Sequence, residues 1–338
     1  MAKTIGVLIV DDSAFMRRML TDILESAGDI KVLGFAKDGI EALEKAKEIK
    51  PDVITLDVEM PKMDGITCLR ELQKITDAHV IMVSGFTKNG ERATIEALAA
   101  GAVDLIIKPA GLFDIAGEEK KKEIIEKIRM TRSIRKKAER ENVKETVTVT
   151  GKLPAYKYND IKASSTLKTL IAIGTSTGGP RALQEVLPNI PGNVPAAVLV
   201  VQHMPPGFTK SLADRLNNLS ELNVKEAEEG EVIKPGYAYI APGDYHMEVA
   251  KTTEGVLKIR LTKGALVNGH RPSVDVMMDS IAKTGFPSVI GVILTGMGSD
   301  GSKGIVNIKK ANKGFIISQD EQSCVVYGMP MAAVKTGV

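Results

Sequence analysis

The sequence predicts an α/β protein in two parts. The first is an N-terminal five-stranded, parallel, doubly wound domain; the second is a larger C-terminal doubly wound α/β domain with an antiparallel insertion. Three observations predict this. Short apolar runs alternate with amphipathic helical stretches through the first half. Continuous apolar runs recur in the second half at 170–173, 197–201 and 289–294, as in strands covered on both faces. A chain of 338 residues also exceeds what one ordinary core holds.

In the first half the expected strands are 7–10, 30–35, 53–56, 80–83 and 105–107. The clearest helix places Met16, Met19, Leu20, Ile23, Leu24 and Ala27 on one face. A doubly wound parallel sheet carries its site at the carboxyl ends of its strands. The polar residues there are Asp11 and Asp12, then Asp57, Ser84 and Lys108. Three carboxylates converging on one edge need a cation, and Mg2+ takes one or two carboxylates while keeping waters and phosphate oxygens. Lys108 adds a compact positive charge and Ser84 a hydroxyl for a phosphoryl oxygen. Asp57 then becomes the phosphoryl acceptor, forming an acyl phosphate. Any one of these acids alone would read as a strand-end cap; the five positions together point to phosphoryl transfer.

Val10-Asp11-Asp12-Ser13, Asp57-Val58-Glu59-Met60-Pro61-Lys62-Met63-Asp64-Gly65, Ser84 and Lys108-Pro109 resemble the receiver domain of two-component response regulators. The resemblance implies phosphorylation at Asp57 and Mg2+ held by Asp11 or Asp12, Asp57 and the Glu59 carbonyl. It also implies a cis Lys108–Pro109 bond. Leu105 stands where many receivers carry a switching Tyr or Phe.

Residues 117–140 are dense in Lys, Glu and Arg, with Ile124, Ile125, Ile128 and Ile134 as a narrow apolar stripe. The cluster Arg129, Arg132, Arg135, Lys136 and Lys137 is interleaved with acids, which favours a solvated helix over a nucleic-acid surface. Residues 142–165 lack sustained periodicity and read as a linker. The expected division is 1–128 for the phosphoacceptor domain, 129–165 for an extended helix and linker, and 166–338 for a catalytic domain.

In the second half, helices fit 182–187, 208–219, 274–282, 305–311 and 331–334. Stretches 237–241, 246–250 and 257–261 alternate more and suggest the antiparallel insertion. Gly174-Thr175-Ser176-Thr177-Gly178-Gly179-Pro180-Arg181 lies between the first strand and the first helix. It fits a nucleophilic serine on a strand-to-helix elbow, or a dinucleotide cradle. The cradle requires glycine where Ser176 stands and an acid at the end of the next strand. That strand ends in Gln202-His203, so the nucleophile is favoured.

A third strand leads into Leu294-Thr295-Gly296-Met297-Gly298-Ser299-Asp300-Gly301. Ser176 is assigned as nucleophile, His203 as the base that takes and returns the proton, and Asp300 as the group that orients the imidazole. Backbone N–H groups near Thr177 or Met297 are candidates for the oxyanion. Arg181 and Arg271 are candidate substrate contacts. His270, in a polar loop, is a candidate lining residue of the groove and competes for the base role; His246 reads as structural and His79 lies in the first domain. The order Ser, His, Asp differs from the Ser, Asp, His order of α/β-hydrolases.

The Gly174–Pro180 elbow, Gln202-His203-Met204-Pro205, Gly269-His270-Arg271-Pro272-Ser273-Val274-Asp275 and the segment from Leu294 to Gly301 together resemble the chemotaxis protein-glutamate methylesterase and glutamine deamidase family. The resemblance implies hydrolysis of glutamate γ-methyl esters on the cytoplasmic helices of chemoreceptors, and deamidation of certain receptor glutamines. It further implies a chemotaxis histidine kinase as phosphodonor. A phospho-switch domain joined by a pliable linker to a hydrolytic site suggests in addition that the unphosphorylated first domain restricts the Ser176 crevice and that phosphorylation opens it. No cofactor is expected for the ester hydrolysis itself.

Composition agrees with a cytosolic reading. Lys+Arg 45 against Asp+Glu 42 gives no global pull toward nucleic acid or an anionic membrane. No apolar run approaches the ~20 residues needed to span a bilayer, and the N-terminus lacks a signal peptide's cleavage region. Cys68 and Cys324 read as reduced, structural thiols in different domains.

Overall fold

The protein is described from a computed structural model, which covers residues 4–108, 118–134 and 166–338. The chain divides into two compact units, 1–137 and 138–338. Among the described residues no helix is long and apolar enough to cross a membrane.

Unit one alternates β1 (Ile5–Val10), α1 (Ala14–Glu25), β2 (Ile30–Ala36), α2 (Gly39–Ile49), β3 (Val53–Asp57), α3 (Gly65–Ile75), β4 (His79–Ser84), α4 (Lys88–Ala100), β5 (Asp104–Ile107) and α5 (Glu118–Met130). The five strands form one parallel sheet in the order β2-β1-β3-β4-β5. β1 and β3 are buried throughout, which accounts for their unbroken apolar character. Ser13, Asp38, Asp64 and Thr87 each cap a helix by accepting a backbone N–H three residues on. α3 must start hard against the end of β3, because a Cβ on Gly65 would lie 2.2 Å from the Asp57 carbonyl oxygen.

Of the helical extension expected past residue 128, the described residues show only the first part. α5 ends at Met130 in a single 3-10 turn, Thr131–Ser133, where the Thr131 hydroxyl donates to the Ile128 carbonyl. Arg129 and Arg132 pair with Asp29 in their own unit instead of forming an open basic face. The remainder of the expected extension and linker lies outside the described residues, as does Pro109 of the expected cis bond.

Unit two runs β6 (Thr169–Thr175), α6 (Gly179–Val186), β7 (Ala196–Gln202), α7 (Phe208–Leu219), β8 (Asn223–Glu226) and β9 (Tyr237–Ile240). Next come β10 (His246–Lys251), β11 (Leu257–Thr262), α8 (Val274–Lys283), β12 (Val289–Ile293), α9 (Ser302–Asn312), β13 (Phe315–Ser318) and α10 (Met329–Val334). Six strands make a parallel sheet in the order β13-β12-β6-β7-β9-β8, and β10 with β11 forms a separate antiparallel hairpin. The antiparallel insertion is therefore smaller than the alternation suggested. Tyr237–Ile240 pairs parallel with β7 and β8 inside the main sheet, and its alternation comes from Tyr239, whose ring is buried while its hydroxyl meets backbone at Lys234 and Val232. β8 and β13 were not expected: both are four-residue edge strands, too short and too exposed for a periodic signal.

The strand order reverses between β6 and β12, and such a reversal opens a crevice beyond the carboxyl ends of those strands. Leu170, Leu199, Met277 and Ile281 belong to the core that supports it.

Candidate active site and phosphoacceptor site

In unit two the crevice is built from three strand ends. Thr175 pairs with Gln202 across β6 and β7, so the next residues, Ser176 and His203, leave the sheet side by side. Ser176 is held by its backbone: its N–H donates to Thr295 O at 3.0 Å, and its carbonyl accepts from Gly179 N at 2.8 Å and from Gln202 Nε2 at 3.0 Å. Gly178 caps α6 with φ +78°, a left-handed value that favours glycine. α6 begins at Gly179, three residues earlier than its apolar pattern indicated, and a Cβ there would lie 2.0 Å from Gln202 Oε1. A Cβ on Gly296 would meet that of Ser176 at 2.9 Å. These glycines let three segments converge on one serine.

His203 Nε2 lies 2.8 Å from Asp300 Oδ2, with side-chain exposures of 6% and 1%. Asp300 Oδ2 also accepts from Val274 N, and Oδ1 accepts from Asn268 Nδ2, Ser273 Oγ, Asp275 N and Gly301 N. The carboxylate thus sits on the amino terminus of α8, where helix N–H groups favour an anion. Burial works against its charge, but the His203 contact and the backbone donors prevail and hold the carboxyl well below the usual range. An ionised carboxylate only accepts, so the hydrogen of a neutral His203 is on Nε2. Nδ1 is left as the lone-pair nitrogen, buried and without a hydrogen-bond partner among the described residues.

His270 stacks on His203, ring centroids 3.7 Å apart and planes 12° from parallel. His246 is held at both nitrogens, by Ala265 O and by Ser273 N, which agrees with a structural role. Arg271 is turned onto Asp244 and the Gly264 carbonyl, and Arg181 is exposed on α6. Thr177 is buried and Met297 half-buried at the two loops flanking Ser176. Sequence reasoning missed Gln202, Asn268, Ser273 and Asp275 as parts of the site. The polar run that starts at Asn268 was the available signal.

In unit one Asp11, Asp12 and Asp57 bring ligand atoms within 4.8 Å of one another at the ends of β1 and β3. Lys108 Nζ reaches Asp57 Oδ2 at 2.7 Å and Asp11 Oδ2 at 3.0 Å. Asp11 Oδ2, fully buried, has only this ion pair to offset its charge. Burial, aided by the Asp11 charge, pushes the Asp57 carboxyl up to about 6 although Lys108 opposes it. One ammonium does not balance this cluster, and a hard, oxygen-seeking dication fits the donor set. Ser84, buried, sits one residue beyond the Asp57–Val83 strand pair, and its carbonyl accepts from Lys108 N. The Glu59 N–H donates to Asp57 Oδ1 at 3.3 Å. Leu105 is buried in β5 beside Met82, as a core residue.

Residues 171–338 match the family profile for CheB methylesterase, and 7–118 match the response regulator receiver domain. Among curated relatives, the chain is 47% identical to a protein-glutamate methylesterase/protein-glutamine glutaminase of Thermotoga maritima, over 99% of this chain and 94% of that one. It is 45% identical to the protein of the same name in Pyrococcus horikoshii, over 100% and 90%. A Halalkalibacterium halodurans protein of that name is 46% identical, over 99% and 93%.

Proposed function

We propose how this chain, which belongs to the protein-glutamate methylesterase/protein-glutamine glutaminase family, carries out its two hydrolyses with the crevice of unit two. The Ser176 hydroxyl attacks the side-chain carbonyl of a glutamate γ-methyl ester while His203 Nδ1 takes its proton. Asp300 orients the ring through Nε2 and stabilises the imidazolium. N–H groups near Thr177 and Met297 receive the oxyanion, a donor of this kind being worth ~10²–10³ in rate. The imidazolium returns the proton to the departing methoxide, methanol leaves, and the substrate side chain remains as an ester on Ser176. Water, deprotonated by the same nitrogen, releases glutamate and restores the serine. A glutamine follows the same route with ammonia as leaving group.

The observation that carries this reading is the 2.8 Å His203–Asp300 pair beside the Ser176 turn, with the opposite ring nitrogen unpartnered. The substrates are chemoreceptor helices carrying these side chains, and Arg181 and Arg271 are candidates for contacting them.

Unit one regulates the reaction. Asp57 accepts a phosphoryl group from a chemotaxis histidine kinase: the carboxylate oxygen bonds to phosphorus as the phosphorus–nitrogen bond to the kinase histidine breaks. Asp11, Asp12, Asp57 and the Glu59 carbonyl would hold Mg2+, which neutralises phosphoryl charge when bound. Lys108 and the Ser84 hydroxyl receive the phosphoryl oxygens, and the added charge of about −1.5 to −2 relieves restraint on hydrolysis. Methanol release from methylated receptor membranes tests the reading. The intact chain is expected to release methanol, faster with a small acyl phosphate present, and Ser176→Ala to release none. Methanol release by Ser176→Ala at the rate of the unaltered chain would refute it.

A further inference from the structure

The ring of His203 can pivot about its own side-chain bonds, and one hydrogen bond to Asp300 does not fix its plane. Catalysis by Nδ1 needs that plane fixed, since a displacement of about 1 Å costs a reaction ~10²-fold. The His270 ring supplies such a constraint, lying 12° from parallel against one face of His203 at 3.7 Å.

What holds His270 there is also visible. It lies in a loop between β11 and α8 whose residues Lys263, Gly264, Ala265, Leu266, Asn268 and Gly269 are exposed. Such a loop needs an anchor. Asn268, in the left-handed region at φ +53°, donates its amide at 3.0 Å to Asp275 Oδ2 and at 3.1 Å to Asp300 Oδ1. Asp275 is itself fixed, since its Oδ1 accepts from Gly304 N at 2.8 Å. Val267 and His270 exchange both backbone hydrogen bonds, which closes the turn and presents the imidazole.

We infer that His270 is a positioning residue for the catalytic base, a ring that holds the plane of His203, pinned in place by the Asn268 amide bridging Asp275 and Asp300. The inference rests on the reading of Ser176, His203 and Asp300 given above. It assigns His270 a role distinct from substrate contact, and the two roles separate in kinetics. A substrate contact common to ground and transition states acts on KM, whereas a group that aligns the base acts on kcat. A positioning ring is also replaceable by another flat ring, because stacking of aromatic faces does not depend on imidazole nitrogens.

The test uses the full chain and a helical peptide carrying a glutamate γ-methyl ester, with methanol release as the assay and circular dichroism as the check of folding. His270→Ala is expected to lower kcat by about 10- to 100-fold with KM little changed, and His270→Phe to restore most of that loss. Asn268→Ala, at an exposed loop position, is expected to lower kcat in the same sense by a smaller factor. An unchanged kcat in His270→Ala overturns the inference, as does a raised KM that His270→Phe fails to repair. Should His270→Ala lose the fold, the comparison of His270→Phe and Asn268→Ala with the unaltered chain decides: loss of kcat in folded His270→Phe contradicts the positioning role. Activity in the unaltered chain that survives Ser176→Ala refutes the underlying reading instead, and the inference with it.

Discussion

Asp300 accepts from Asn268, Ser273, Val274, Asp275 and Gly301 as well as facing His203. So many donors serve to keep one buried carboxylate charged and still. Asp300→Asn is expected to preserve the fold and lower kcat by about 10³-fold or more, because an amide can no longer select the His203 tautomer. The same charge links stability to pH. Its folded value lies below the unfolded one of about 3.9, so its contribution is fully present above that pH and is lost progressively as pH falls below it toward the lower folded value. The melting temperature of unit two should therefore fall more steeply below about pH 4 in the unaltered chain than in Asp300→Asn. Equal slopes in a thermal-unfolding series would contradict this.

The elements explain why such side chains meet. β6, β7 and β12 are adjacent parallel strands, and each is followed just past its carboxyl end by one of the candidate groups. Gly179→Ala is expected to cost at least tenfold in kcat, since its methyl would enter Gln202 Oε1 at 2.0 Å and Thr175 Oγ1 at 2.4 Å and displace the Ser176 turn. Wild-type kcat in that variant would show that the turn tolerates movement. This level was largely legible in the sequence, because long apolar strands ending in Ser176, His203 and Asp300 carry both signals at once. The alternation of Tyr237–Ile240 misled because one tyrosine placed its ring in the core and its hydroxyl on backbone. β8 and β13 left no trace because short edge strands bury too little for periodicity. The sequence assigns Asn268 and Ser273 no individual role for another reason: they donate to an acid distant in sequence, and only the fold reveals which acid.

At the scale of the molecule, a phosphoacceptor unit and a hydrolytic unit occupy one chain, 1–137 and 138–338. The proposed coupling predicts that Asp57→Asn abolishes stimulation by acyl phosphate and leaves basal methanol release within about twofold, the size of change expected of a residue with no part in the chemistry. On the same coupling, a fragment of residues 166–338 is expected to exceed the basal rate of the intact chain. A fragment slower than the intact chain, while folded by circular dichroism, would argue that unit one activates only.

The central claim is covalent chemistry at Ser176, and the most direct measurement is to trap it. The intact chain is mixed with a peptide bearing a glutamate γ-methyl ester, quenched in acid within the first turnover, digested and analysed by mass spectrometry. The account predicts an adduct equal to the peptide ester minus methanol on the fragment containing Ser176, absent in Ser176→Ala. Turnover with no adduct there, or with the adduct on another residue, would contradict it.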